Sequence, residues 1–177
     1  MTQSRSAARL ARPASLDDLL LYRLGRIFSV AGSMVIRLCE GRFGITRREW
    51  RLIALLARED GLLSSQLAER AGLDRARTSR AITSLVGKKL ALRVVGQDDR
   101  RQARLALTPA GRKVFSELFP LVRDINRGLI AELAPREVAG LDAALASMQT
   151  RADFLAAHAD LPKANRRRGG RTRAQTG

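Results

Sequence analysis

The sequence predicts a mainly α-helical fold with one small β-hairpin, and three observations lead to this fold class. Apolar residues make up 45% of the 177 residues and aromatic residues only 4%, and the strong helix formers Ala and Leu dominate. Apolar side chains recur with helical spacing along most of the chain. The alternation that is typical of a strand occurs in one place only, after the middle of the chain.

The charge of the chain favours a polyanionic partner. Lys and Arg number 33 against 17 Asp and Glu, which gives a formal net charge of +16, and this excess favours nucleic acid before a membrane. The sequence contains no run of about 18 apolar residues, so we expect no membrane helix. The absence of a signal sequence predicts a cytoplasmic protein. With one cysteine, Cys39, and one histidine, His158, we expect neither a disulfide nor a metal cluster, and no cofactor.

The first predicted helix is long. Residues 1–14 are polar, contain three arginines and predict a disordered arm. Ser15, with Asp18 three residues later, is expected to cap a helix that ends near Gly41 or Gly44. This helix carries more apolar side chains than a small domain needs on one side, which suggests a partner helix.

Three further helix starts follow closely. Thr46 and Glu49 form a capping-box pattern that opens the second helix. Ser64 is expected to cap a short third helix that Gly72 closes, and Asp74 is a suitable N-cap for the next helix two residues later. Two helices joined by such a brief turn predict a helix-turn-helix.

A hairpin comes directly after these helices. Leu92–Val95 has strand-forming residues, the tip from Gln97 to Gln102 is polar, and Ala103–Leu107 alternates between apolar and other side chains. A helix-turn-helix followed by a hairpin is a winged helix, which we assign to residues 45–108. The hairpin, or wing, is then placed to reach a groove of DNA beside the one that the helix enters.

Two more helices are expected after the wing. Thr108-Pro109 is a strong helix start, and Pro120 within that helix predicts a kink or a break. Pro135 begins a last helix that ends near His158. Both helices again carry surplus apolar residues.

These patterns predict four parts of the chain. Residues 15–44 and 109–158 are expected to form a helical dimerisation region that is joined to the winged-helix domain. Residues 159–177 contain many arginines and few apolar residues and predict a disordered basic tail.

The helix that begins after Asp74 carries the predicted binding residues. Its first turns are basic and hydroxylic, although arginines there oppose the helix dipole, so the placement suits a phosphate or a base edge. A solvated basic face is the plainer alternative. Ala76, Ile82, Leu85 and Val86 are interpreted as core. The predicted DNA-contacting residues are Arg75, Arg77, Thr78, Ser79 and Arg80.

Three stretches together resemble the MarR family of bacterial transcription regulators. They are Phe43–Trp50, Leu67–Leu73 leading into Thr78-Ser79-Arg80, and Asp98–Arg101 leading into Leu105–Gly111, and the last is the most specific. The resemblance runs from about residue 15 to residue 158. It implies an obligate homodimer, a pseudo-palindromic operator, and a small-molecule or redox signal that alters DNA binding.

The resemblance also assigns roles in the wing. Asp99 and Arg101 resemble the family's acid–x–arginine pair, in which the acid holds the guanidinium extended towards a narrow minor groove, and Arg100 can take phosphate or exchange roles with Arg101. A solvated turn with an exposed ion pair is the alternative. Weaker phosphate candidates are Arg104 and either Arg47 or Arg48.

One position departs from the family pattern. The family usually has Gly at the end of the recognition helix, where this chain has Lys89, with Gly87 two residues earlier. If this end requires a left-handed residue, Lys89 costs roughly 1 kcal/mol; alternatively, Gly87 ends the helix early.

Three other side chains are weighed as sensors of a signal. Cys39 is a candidate redox sensor, but an inert packing cysteine is the plainer interpretation. Tyr22 and Trp50 are weak candidates for an effector pocket, since aromatic residues at such positions more often belong to the core.

The sequence therefore predicts a sequence-specific transcriptional regulator, most simply a repressor that binds double-stranded DNA as a homodimer and is relieved by a small-molecule effector. A sequence-independent architectural DNA-binding protein and a redox sensor acting through Cys39 remain alternatives. An enzyme is not expected, because we find no Gly-rich phosphate loop, no metal-ligand spacing and no nucleophile–base grouping.

Overall fold

The structure, a computed structural model, describes residues 9–95 and 103–162. It is mainly helical with a small antiparallel sheet, as the sequence predicted. A short 3-10 turn, Leu16–Asp18, precedes the main elements. These are α1 (Leu20–Phe43), α2 (Arg47–Arg58), β1 (Leu62–Leu63), α3 (Ser64–Ala71), α4 (Arg75–Gly87), β2 (Ala91–Val95), β3 (Ala103–Leu107), α5 (Pro109–Leu129) and α6 (Pro135–His158).

Side-chain caps begin three of the helices, as predicted. The Thr46 hydroxyl accepts a hydrogen bond from the Glu49 N–H at 3.2 Å, and Glu49 Oε2 accepts one from the Thr46 N–H at 2.6 Å. Asp74 caps α4 and Thr108 caps α5 in the same general way. Each cap satisfies a backbone N–H that the first helical turn leaves without a partner.

Two predicted helix starts are wrong in position. Ser15 and Asp18 enclose only the 3-10 turn, and α1 begins later, at Leu20. Ser64 does not cap α3, because the N-cap is Leu63, whose N–H donates to Gln66 Oε1 at 2.8 Å. In both places the first residue with a suitable side chain was mistaken for the cap itself.

Pro120 does not break α5, which continues as one helix on both sides of it. Proline removes one backbone hydrogen bond, and this loss is local. Burial of Leu118, two residues earlier, attaches the same stretch of helix to the core, so packing outweighs the missing bond.

The sheet has one strand more than the sequence predicted. β2 and β3 pair in the expected antiparallel hairpin, with Ala91 opposite Leu107 and Val95 opposite Ala103. The two-residue strand β1 pairs with the other edge of β3, which gives the order β1-β3-β2. Leu105 and Leu107 on the inner face of β3 are buried, so the sheet closes the core on the wing side.

The core of the first compact unit, described over residues 9–95 and 103–131, lies among α2, α3, α4 and the sheet, with α1 and α5 each adding side chains. Its completely buried members come from all of these helices, from β1 and from the loop before α2. They include Cys39, Ile45, Leu52, Ile53, Leu56, Leu62, Leu67, Leu85 and Leu118.

Two helices present apolar side chains to the outside. On α1, Leu21, Ile27, Phe28 and Val30 are between 55% and 81% exposed. The described residues 132–162 belong to a separate compact unit, whose helix α6 buries none of its residues. Within the described ranges, no helix combines the length and apolarity that a membrane span requires.

Candidate nucleic-acid interface

The first half of α4 presents a basic surface. Asp74 Oδ1 accepts the Arg77 N–H at 2.8 Å and so fixes where the helix begins. From that start, helical geometry places Arg75, Arg77, Ser79 and Arg80 on the exposed side. We call these four residues the arginine face.

Thr78 does not belong to this surface, which corrects the predicted set. It is completely buried, and its hydroxyl donates to the Asp74 carbonyl at 3.0 Å. That bond to the preceding turn satisfies the hydroxyl and lets the side chain pack like an apolar residue. Ala76, predicted as core, is exposed instead, so the buried stripe of α4 begins at Thr78 and continues through Ala81, Ile82 and Leu85.

Asp74 also holds the side chain of Arg77. Its Oδ2 lies 3.1 Å from Arg77 Nε, and the Arg77 side chain remains 54% exposed. An ion pair this exposed contributes less than about 1 kcal/mol. Arg77 can therefore leave Asp74 and bind a more highly charged anion at little cost in free energy.

Arg48, at the start of α2, extends the basic surface. A small pocket of about 210 Å³ between α2 and α4 is lined by residues that include Arg48, Arg77 and Arg80. The neighbouring Arg47 is placed differently, because its guanidinium lies 4.4 Å from the centre of the Phe28 ring on α1. Of the two weaker candidates, Arg48 is therefore the one near the arginine face.

The predicted tip of the wing lies outside the described residues. Asp99, Arg100 and Arg101 fall between Val95 and Ala103, so their assignment stays a prediction. Arg104, at the beginning of β3, donates to the Gly61 carbonyl at 2.8 Å. This bond gives Arg104 a structural role at the end of the sheet.

The C-terminal end of α4 is attached to the rest of the domain by Lys88, which sequence reasoning missed. Lys88 Nζ donates to the Gly44 carbonyl at 2.8 Å and to Glu49 Oε2 at 2.8 Å. Gly44 ends α1 in the left-handed conformation and Glu49 belongs to the capping box of α2. We call Gly44, Glu49 and Lys88 the junction.

Glu49 is a buried carboxylate within this junction, with a side chain only 2% exposed. Burial raises the pKa of Glu49, but hydrogen bonds from Lys88, Ser84 and the Thr46 backbone outweigh it, so the pKa lies below its ordinary value. Its other oxygen, Oε1, is buried without a hydrogen bond of ordinary geometry. The carboxylate is therefore charged at neutral pH and depends on Lys88 for its counter-charge.

The residues after Lys88 are attached to α5. Lys89 has φ of 58°, the left-handed conformation, and its carbonyl accepts the Thr108 hydroxyl at 2.7 Å. The Leu90 carbonyl accepts the Thr108 N–H at 3.1 Å. Gly111 approaches so closely that a Cβ there would lie 2.0 Å from the Leu90 oxygen. Helix α4 thus ends at Gly87, and the turn that follows requires a left-handed backbone conformation at Lys89.

Cys39 is placed as a packing residue. It is completely buried, and burial is the main cause that raises its pKa to about 11. A buried thiol with a raised pKa is a poor nucleophile, so the redox alternative loses its support. Among the residues described, no three His, Cys, Asp or Glu side chains are grouped to hold a metal ion.

The two weak effector candidates, Tyr22 and Trp50, lie away from the main apolar pocket of the described residues. Trp50 is 8% exposed and stacks on Phe115 with 5.9 Å between ring centres, so it belongs to the core. An apolar pocket of about 610 Å³ lies instead between α1 and α5, and neither Tyr22 nor Trp50 lines it. Its walls include Leu24, Phe28, Val35, Ile125 and Asn126, the last of which is polar.

Residues 43–102 match the model of the MarR family. This segment begins in the last residue of α1 and includes the helix-turn-helix and the connection between the wing strands. No curated protein sequence matches the chain significantly.

Solved structures of regulators share the fold. A MarR-family transcriptional regulator from Silicibacter pomeroyi is 27% identical, with a TM-score of 0.67, over 83% of this chain and 94% of its own. A probable transcriptional regulator from Pseudomonas aeruginosa is 26% identical, with a TM-score of 0.63, over 76% of this chain and 99% of its own. The transcriptional regulator SlyA, at 20% identity and a TM-score of 0.68 over 75% and 93%, shows the fold alone.

The fold is therefore a winged helix of the kind found in solved structures of transcriptional regulators. The family model and the solved structures confirm the resemblance to the MarR family that the three sequence stretches indicated.

Proposed function

We propose that the chain is a sequence-specific DNA-binding regulator that acts as a homodimer on a pseudo-palindromic operator. One observation carries this proposal: the arginine face is exposed on the first half of a helix whose other side is buried in the core. Such a helix can enter the major groove without disturbing the domain that supports it.

The side chains of the arginine face suit the chemistry of DNA. Arginine can donate two parallel hydrogen bonds to a guanine edge, and serine can contact phosphate. Arg48 supplies a further cation at the edge of α4. In this proposal Arg75, Arg77 and Arg80 read or position the major groove, while Asp99, Arg100 and Arg101 serve the minor groove.

Exposed apolar surface supports the dimer. The side chains of α1 are exposed over several turns, and α6 exposes Leu141, Leu145, Phe154 and Leu155 by 40% to 50%. Exposed apolar side chains in such number typically mark a protein interface. We propose that residues 15–44 and 109–158 supply the dimer contacts and that half-sites lie about 10 bp apart.

We further propose that the DNA-bound dimer represses transcription and that a small molecule relieves it. The α1–α5 pocket of about 610 Å³ is of the size that small-molecule sites have, roughly 300–1,000 Å³. It opens on the same apolar side of α1 as the proposed dimer surface, so a ligand there can favour one arrangement of the dimer over another.

The test measures the affinity of the purified protein for the DNA upstream of its own gene and for shuffled DNA of equal length. At about 150 mM salt we expect a preference of roughly 10³ or more, together with a steep loss of affinity as salt rises. Sedimentation or light scattering should show a dimer at the same concentration.

Equal affinity for the two DNAs would overturn the operator proposal. That result would favour the architectural alternative, which the net charge of +16 also supports. Candidate ligands added to the specific complex then test relief, and only those that weaken the specific complex more than the nonspecific one support an effector role.

A further inference from the structure

The junction fixes one end of the DNA-facing helix to the end of a different helix. Lys88 follows the last residue of α4, whereas Gly44 and Glu49 are 44 and 39 residues away along the chain. Gly44 is the C-cap of α1 and Glu49 lies in the first turn of α2. One ammonium group therefore connects the ends of three helices.

The geometry of this connection is specific. An ammonium group has three N–H donors, and Lys88 directs two of them at a helix-terminal carbonyl and a buried carboxylate, both at 2.8 Å. The carbonyls at the end of a helix carry partial negative charge, so Gly44 and Glu49 attract Lys88 together. Because the Glu49 side chain is almost completely buried, its position is set by the core rather than by solvent.

We propose that Lys88 is a positioning residue, which sets where the arginine face stands relative to α1 and α2. The proposal rests on the proposed function, because it assumes that the arginine face binds DNA. Lys88 itself acts through α4 and touches no DNA in this role. A displacement of α4 by loss of the contact misaligns arginine donors that must meet base edges within hydrogen-bonding distance.

The experiment compares Lys88→Met with Lys113→Met, an equal loss of charge on an exposed face of α5, where the Lys113 side chain is 76% exposed. The measured quantity is the ratio of affinities for the upstream DNA and for shuffled DNA. We expect Lys88→Met to lower this ratio about tenfold, the loss expected when one bidentate arginine contact is misaligned. Lys113→Met should leave the ratio unchanged, and Lys88→Arg should restore most of it.

A second variant separates positioning from folding. Lys88→Met leaves the Glu49 carboxylate buried without its cation, which by itself can weaken the fold. The double variant Glu49→Gln with Lys88→Met removes both charges, and Gln can still accept the Thr46 N–H. We expect the double variant to show the same loss of DNA preference as Lys88→Met with a higher melting temperature.

Amide hydrogen exchange without DNA tests the positioning directly. We expect faster exchange in Lys88→Met at residues 84–90 and no change in α3. If the wild-type protein shows no DNA preference, the proposed function fails, and the exchange rates alone decide the role of Lys88. If the wild type shows the preference and both Lys88→Met and the double variant retain it with unchanged exchange, the positioning role is overturned while the proposed function stands.

Discussion

The two ends of α4 differ in how the rest of the protein holds them. At the first end, Asp74 caps the helix with local bonds, and the arginine face is exposed. At the other end, Lys88 bonds to α1 and α2, and Thr108 bonds to Lys89 and Leu90 from the start of α5. One end is available to a ligand and the other is attached to three helices.

A short helix held in this way can present long, flexible side chains with precision. Arginine loses much side-chain entropy when it is fixed, so the protein leaves Arg75, Arg77 and Arg80 exposed and fixes the backbone that carries them. The bonds at the far end fix this backbone together with the Asp74 cap and the buried stripe of α4, and they lie away from the arginine face. Three substitutions test this division, in order of expected effect, and a fourth tests the start of the chain.

The largest effect is expected from a substitution at Gly111, which packs against the residues after the attached end of α4. A Cβ at Gly111 would lie 2.0 Å from the Leu90 oxygen, so Gly111→Ala must push α5 away from the end of α4. We expect a loss of about 3 kcal/mol or more in the free energy of unfolding, measured by denaturant titration. Gly128→Ala is the control, since its Cβ would meet nothing within 4 Å, and it should be neutral or stabilising by up to about 1 kcal/mol.

A substitution at the exposed end of α4 should weaken DNA binding and leave the stability of the fold nearly unchanged. Arg77→Ala should weaken binding to the upstream DNA roughly tenfold to a hundredfold, because a bidentate arginine contact contributes about 1–3 kcal/mol. Fluorescence anisotropy at about 150 mM salt measures the loss. The melting temperature should hardly change, because the Arg77–Asp74 pair is exposed. Loss of stability without loss of binding would contradict the division between the two ends.

A substitution at Lys89 should increase the stability of the fold at the attached end of α4. Lys89→Gly should stabilise the fold by roughly 1 kcal/mol, because glycine adopts the left-handed conformation at φ of 58° without the Cβ conflict. Lys89→Ala removes the same charge but keeps the conflict, so it should give no such gain. Equal stability of the two variants in thermal unfolding would show that charge, and not backbone conformation, governs this position.

The start of the chain offers a smaller and separate test, of stability against pH. Asp18 accepts hydrogen bonds from Arg9 Nε at 2.7 Å and from the Ser15 hydroxyl at 2.9 Å, and these bonds lower the pKa of Asp18 to about 2. Because the folded-state pKa is below the unfolded value of about 3.9, this stabilisation is complete above that pH. It is lost as pH falls towards about 2.

Thermal unfolding between about pH 5 and pH 2 measures this loss. Asp18→Asn should flatten the pH dependence in that window. Asp17→Asn is the matched control, because Asp17 is 65% exposed and lies 3.5 Å from Arg26. If Asp17→Asn flattens the curve equally, Asp18 is not the cause of the pH dependence.

The sequence predicted what depends on residues close together in the chain. The caps at Thr46, Asp74 and Thr108 each bond to a residue three positions later, so residue type and spacing were sufficient. The hairpin and the glycine ends of α1 and α3 are local in the same sense. Thr78 was predicted to be exposed and Ala76 to be buried, and the structure shows the reverse. Thr is polar by type, but the Thr78 hydroxyl is satisfied within the helix.

What the sequence missed depends on contacts between distant residues. The bond from Lys88 to Gly44 joins residues 44 positions apart, and β1 is a strand only because Leu62 and Leu63 pair with β3. The contact of the Arg47 guanidinium with Phe28 likewise joins residues on different helices. No pattern within a short window of sequence carries this information.

The close approach of Gly111 to Leu90 has an evolutionary consequence. The space beside the Leu90 oxygen admits a hydrogen atom and excludes any side chain, whatever the polarity of that side chain. In every relative that keeps this connection between the end of α4 and the start of α5, the position of Gly111 should therefore be glycine. A relative with another residue there should show the two helices farther apart, and its DNA-facing helix should have diverged in position as well as in sequence.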